Sequence, residues 1–163
     1  MNKIDKINVH IFLRKPYNFE NHSVEKLFKT IAKDKDCNLN FEFLVCPFHS
    51  NGFFKRIYNC FWAFWNQGEI NHISGDINFI SLFLKKNKTI NTFLDCYSLR
   101  RLSGLKRIIY KYFWFYLPIK NSKYVTTISN FSKKELKKFI NINKKIHVVS
   151  AFLPDGNYKI NRK

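Results

Sequence analysis

The chain has 163 residues, 29 Lys+Arg against 11 Asp+Glu, a formal net charge of +18, and a composition that is 45% hydrophobic and 18% aromatic. So much apolar surface offsets the ordering entropy of one compact domain, which excludes global disorder. The charge attracts polyanions such as nucleic acid, anionic lipid or phosphorylated substrates, yet a chain this rich in Lys, Asn and Ile is also what an AT-rich genome writes, so charge alone names no partner.

Ile7–Leu13 is apolar, is interrupted by Asn8 and His10, and reads as a first strand followed by a polar loop over 14–22. Ser23 opens a helix with Val24, Leu27, Phe28, Ile31 and Ala32 on one face, the spacing of a stripe turned to a core. Leu39, Phe41, Phe43 and Val45 alternate with period two and form a second strand, closed by Pro47. A helix follows over 53–66, with Phe54, Ile57, Phe61 and Trp65 predicted to face inward. A short strand over 69–73 runs into Ser74-Gly75-Asp76, where Asp76 is the expected N-cap of a helix over 77–85. The fourth strand covers 89–94. A polar loop over 95–103 then leads to a helix from Gly104 to about Leu117, with Leu105, Ile108, Ile109, Tyr112 and Tyr116 inward and Pro118 limiting its continuation. A fifth strand spans 124–128. Ser132 and Glu135 form a capping box that starts a last helix, with Leu136, Phe139 and Ile140 inward. Residues 146–149 read as a sixth strand and 151–163 as the start of a linker or tail.

Six strands separated by five helical segments predict an α/β fold over residues 1–150, a Rossmann-like, doubly wound and mostly parallel sheet. Cys37, Cys46, Cys60 and Cys96 show neither a Cys-x-x-Cys pair nor metal spacing, and read as free thiols in a reducing compartment. The first strand meets Arg14 and Lys15 rather than a small-residue cleavage site, which argues against a signal peptide. No stretch approaches the roughly 20 apolar residues of a membrane span. The expectation is a cytoplasmic protein.

In open α/β sheets, ligands bind beyond the carboxyl ends of the strands. Those ends gather Arg14, His72, Ser74, Asp76, Asp95, Arg100, Ser129 and Asn130. His72 is suited to orient a hydroxyl or carry a proton, or else to be a hydrogen-bonded structural residue. Asp95 is placed either as a catalytic carboxylate or as a turn former. For Asp76 the capping role suffices. Arg100 with Arg101 suits a phosphate or carboxylate clamp, or a solvated basic loop. There is no G-x-G-x-x-G after the first strand, no P-loop, no G-x-S-x-G elbow and no H-E-x-x-H. The stretches 58–65 and 110–117 are hydrophobic on more than one face and flanked by basic residues. They fit burial under a second domain or rest on an anionic membrane surface. Aromatics concentrated on helices rather than on strand faces disfavour nucleic acid as the partner.

Residues 66–76, Asn-Gln-Gly-Glu-Ile-Asn-His-Ile-Ser-Gly-Asp, resemble the third-strand region of bacterial retaining glycosyltransferases of family 4, which have the two-domain GT-B architecture. Thr127-Ile128-Ser129-Asn130-Phe131-Ser132-Lys133-Lys134-Glu135-Leu136 resembles their T-x-S-x-F-S-K-x-E-L stretch, and Thr92-Phe93-Leu94-Asp95-Cys96 is similar to their fourth-strand end. The likeness runs from Ile7 to Val149. It implies an N-terminal, acceptor-side domain whose partner domain holds a nucleotide-sugar donor, with retention of anomeric configuration and no metal or other cofactor. The implied acceptor is a saccharide or a lipid-linked glycan at the inner face of the membrane, as in surface polysaccharide synthesis. On this resemblance Asp95 and His72 are the catalytic candidates. Arg14, Ser74, Gly75, Asp76, Arg100, Ser129 and Asn130 are the acceptor-binding candidates.

Two departures stand out. Leu94 takes a position where the family has a His beside the reacting sugar, and the family's donor domain with its Glu-x7-Glu motif is not found in the sequence, so the chain alone is expected to be inactive. Ser150-Ala151-Phe152-Leu153-Pro154 also replaces the family's usual Asn-Gly or Asn-Pro entry to its linker. The alternative is a non-enzymatic basic α/β module for anionic lipid or nucleic acid, or a degenerate remnant.

Overall fold

The structure is a computed structural model, and it describes residues 6–16 and 38–150. Six strands, β1 (Ile7–Leu13), β2 (Leu39–Val45), β3 (Ile70–Ser74), β4 (Thr89–Phe93), β5 (Tyr124–Thr127) and β6 (Ile146–Val148), form one sheet. Their order is β2-β1-β3-β4-β5-β6, and each neighbouring pair is parallel. This is a Rossmann-like, doubly wound α/β sheet. The chain winds from β1 to one edge through β2, and to the other through β3 to β6. The winding therefore reverses between β1 and β3, which is where open sheets of this kind carry their ligands.

The helices are α1 (Phe53–Trp65), a 3-10 helix (Asn78–Phe83), α2 (Tyr97–Arg101) and α3 (Gly104–Lys111), which runs through a π-helical turn (Tyr112–Tyr116) into α4 (Leu117–Lys120), and then α5 (Asn130–Phe139). Right-handed crossovers put the connections from β2 to β6 on one side of the sheet. The packing agrees, because Trp114 touches two neighbouring cores. One holds Phe12, Ile73, Cys60, Ala63 and Ile80 under α1 and the 3-10 helix; the other holds Phe93, Val125, Phe115 and Leu136 under the π turn and α5. Val9, Ile11 and Leu13, alternating with these along β1, pack with Phe41 and Phe43 on the opposite face. The helix expected from Ser23, Cys37, and the tail over 151–163 lie outside the described residues.

Strands fall where the sequence predicts them, but helix phases do not. On α1 the buried positions are Asn59, Cys60 and Ala63; of the predicted inward stripe Phe54, Phe61 and Trp65 are exposed and Ile57 is half-buried. The phase is fixed by Asn59, whose side chain accepts from the Phe48 N–H (3.2 Å) and donates to the Phe48 carbonyl (2.8 Å). A buried amide with both ends satisfied outweighs the choice among several apolar faces. Likewise Leu105, Ile108, Ile109 and Tyr112 point to solvent, while Phe115 and Ile119 are buried. Pro118 does not limit the helix. It sits in the first turn of α4, where no N–H is required, after the ladder has shifted register in the π turn.

Two capping expectations are corrected as well. Residues 77–85 hold a 3-10 helix whose N-cap is Ile77, with no side-chain cap bond, so Asp76 does not cap it. The last helix starts earlier than the expected box: Ser129 is its N-cap, and the Ser129 hydroxyl accepts from the Ser132 N–H.

Candidate functional site

At the reversal point, Ser74 ties the strand ends together by donating its hydroxyl to the Phe12 carbonyl (2.9 Å), and the Gly75 N–H donates to the Thr92 carbonyl (3.1 Å). The chain then turns sharply. Gly75 adopts φ +65°, Asp76 φ +22°, and the Ile77 N–H reaches back to the Gly75 carbonyl. Glycine is required here because its φ is positive and because Leu94 lies directly over it. The turn aims the Asp76 carboxylate at Arg14, whose guanidinium donates to it at 2.5 Å from the end of β1. The Asp76 carbonyl accepts from the Trp114 indole (3.3 Å). Trp114 in turn stacks on Tyr110 (centroids 4.8 Å apart, planes 19° apart) and carries the Arg56 guanidinium 4.6 Å from its ring centre.

Asp76, Asn78, Leu94, Asp95, Ser98 and Tyr110 line a small pocket at this edge, floored by Phe93 and Phe115. Its cavity of about 30 Å³ admits a water or one hydroxyl, not a sugar ring. A larger ligand would therefore lie across the open edge and insert a single group. Asn78 is 4% exposed, and its Oδ1 is a buried acceptor with no hydrogen-bond partner among the described residues. Burial pushes the Tyr110 phenol up, eased by a hydrogen bond with Ser98, so the ring stays neutral at physiological pH. Asp76 and Asp95 give the lining carboxylate acceptors, and Ser98 and Tyr110 add hydroxyls, a set suited to a ligand's O–H groups.

The other sequence candidates are dispersed. Asp95 is exposed, lines the pocket, and its Oδ1 accepts from the Tyr97 N–H at 2.9 Å, so it also starts α2. Arg100 pairs with Glu135 (3.4 Å) rather than standing open as a clamp. Ser129 is occupied as the α5 cap, and Asn130 is the exposed first residue of that helix. His72 sits within β3, bonded through Nε2 to Thr92 Oγ1 (2.8 Å), which in turn meets Thr126 Oγ1 (2.7 Å). Strand alternation turns it to the face opposite Ile73 and the pocket, away from Asp95. Burial pushes its imidazole down to about 4, so it is neutral at physiological pH.

Arg56, Asn78, Ser98, Tyr110 and Trp114 were not singled out by sequence reasoning. Tyr110 and Trp114 are four residues apart and thus share a helix face, but the apolar stripe of Leu105, Ile108, Ile109 and Tyr112 masked that signal. Among the described residues no group of three or more His, Cys, Asp or Glu could hold a metal ion, and no helix is long and apolar enough to cross a membrane.

Fold and site together define an α/β domain with an open, polar and aromatic edge at its topological switch point. No protein-family model matches the sequence, and a search of curated proteins returns no match.

Proposed function

We propose that this domain is the acceptor-binding side of a glycosyltransferase that moves a sugar from a nucleotide-sugar donor to a saccharide or lipid-linked acceptor. The observation that carries the reading is the convergence of Asp76, Asp95, Tyr110 and Trp114 around one hydroxyl-sized pocket on an otherwise open edge. Sugars present O–H donors at their rims and C–H faces between them, which suits carboxylates next to stacked aromatics. Asp95 accepts a hydrogen bond from the acceptor hydroxyl and raises its nucleophilicity. Asp76, held by Arg14, orients a neighbouring hydroxyl. Leu94 fills the position of the histidine in the resembled family and contributes packing over Gly75, so proton transfer there falls to Asp95 alone. His72, on the other face, is bonded to Thr92 and takes no part in transfer. The donor is held by a second domain, and without it proximity, a main source of rate in group transfer, is missing. A lipid-linked acceptor is met at the inner face of the cell membrane, where the protein works from the cytoplasm as a peripheral protein.

The test is calorimetric titration of the full chain with a panel of oligosaccharides and of uridine and guanosine diphosphate sugars. The reading expects heat from a saccharide, lost in Asp76→Ala and largely insensitive to salt, and none from the nucleotide sugars. No saccharide binding, with tight and steeply salt-dependent binding to duplex DNA instead, would overturn it in favour of a basic nucleic-acid module.

A further inference from the structure

We infer that the outward faces of α1 and α3 seat this protein on an anionic lipid surface. The inference goes beyond the acceptor reading: it shares with it only the location and would stand if no saccharide bound. The two helices belong to one layer on one side of the sheet, and Arg56 of α1 lies over Trp114 of the π turn that continues α3. Burial of Asn59, Cys60 and Ala63 turns Phe54 (84% exposed), Tyr58, Phe61 and Trp65 (73% exposed) outward, along an open apolar groove of about 480 Å³. On α3 no residue is buried, and Leu105 (70% exposed), Ile108 and Ile109 stand in solvent. Apolar area on this scale marks a surface that is covered when the protein works.

Charge selects the cover. Residues 43–68 and 96–134 contain no Asp or Glu, while the second stretch holds nine Lys or Arg and α1 adds Lys55 and Arg56. A second copy would set one predominantly cationic face against another, and like charges across an interface repel. A nucleic acid would neutralise the cations but leave Leu105, Ile108 and Ile109 facing phosphate and water. A bilayer with anionic headgroups accepts both, taking the aromatic and aliphatic side chains into the acyl boundary and the Lys and Arg at headgroup level. Since no helix among the described residues is long enough to cross, the pair lies in the interface plane.

The experiment is sedimentation of the full chain with vesicles of pure phosphatidylcholine, and of phosphatidylcholine with about a third phosphatidylglycerol, the source of surface charge. Brominated lipid is included to quench Trp65. The expected result is partition at least about tenfold stronger onto the anionic vesicles, with quenching that disappears in Trp65→Phe. Phe54→Ser with Ile108→Ser should weaken partition by at least about tenfold. Both side chains are exposed, so folding is spared, and Phe131→Ser on α5 should change nothing. Equal binding to neutral vesicles, an unquenched Trp65, or unchanged partition of the double variant would overturn the proposal. So would a concentration-dependent dimer abolished by the same variant, which would show that a second copy covers the face.

Discussion

A methyl group placed on Gly75 would lie 2.5 Å from Cδ1 of Leu94. This close approach joins the turn after β3 to the end of β4, and Leu94 and Asp76, the neighbour of Gly75, both line the pocket. Gly75→Ala is therefore expected to cost about 2–4 kcal/mol, from positive φ and from overlap together. In a Leu94→Ala background only the φ penalty of about 1 kcal/mol should remain. Urea denaturation of the four proteins measures the coupling, and strict additivity would show that the overlap is relieved elsewhere.

Ser129 caps α5, and its hydroxyl also meets that of Ser132, which donates to the Leu94 carbonyl at 2.7 Å. Loss of the cap in Ser129→Ala should lower stability by about 1 kcal/mol, whereas Ser129→Asp should retain most of it. If Ser129 were instead an acceptor ligand, the alanine variant would lose saccharide affinity while keeping its denaturation midpoint.

His72 gives the domain an acid-sensitive step. Its imidazole is depressed by burial from the ordinary 6.5 to about 4, so the unfolded chain binds the extra proton first. The stabilising contribution is complete above pH 6.5 and is lost progressively as pH falls toward 4, by about 2–3 kcal/mol. His72→Gln keeps a hydrogen-bonding side chain and should flatten this part of the stability profile. An unchanged slope between pH 6.5 and 4 in that variant would assign the acid sensitivity to other groups.

Burial pushes the thiols of Cys46, Cys60 and Cys96 up to about 12. All three are free and buried. Iodoacetamide at neutral pH should leave these three unmodified in the folded protein and label them all in denaturant, as read by peptide mapping. Rapid labelling of Cys60 would mean that α1 opens from the sheet.

Strand positions were legible because their signal is one-dimensional. The alternation of Leu39, Phe41, Phe43 and Val45 fixes an element and its two faces at once, and β1 and β2 carry the predicted bounds. Helix orientation was not legible, because α1 has aromatic residues all round and its phase is set by one polar residue, Asn59, through a loop partner eleven positions away. The Ser74–Asp76 turn was recognised as part of the site, but the use of Asp76 was not. Its pairing with Arg14 spans 62 positions and depends on strand order, which no local pattern contains. Trp114 escaped notice for a related reason. It lies within the π turn, whose register shift no periodicity announces, and there its indole reaches the Asp76 carbonyl.

The central claim is that saccharides bind at the β1–β3–β4 carboxyl edge, and NMR mapping of the labelled chain tests it most directly. Amide and indole shifts would be followed during titration with the saccharide that gives the strongest calorimetric signal. The account predicts shifts clustered at Arg14, Gly75, Asp76, Asp95, Ser98 and the Trp114 indole, with the amide of His72 unmoved. Shifts confined to the His72–Thr92–Thr126 face, or to the outward faces of α1 and α3, would contradict it.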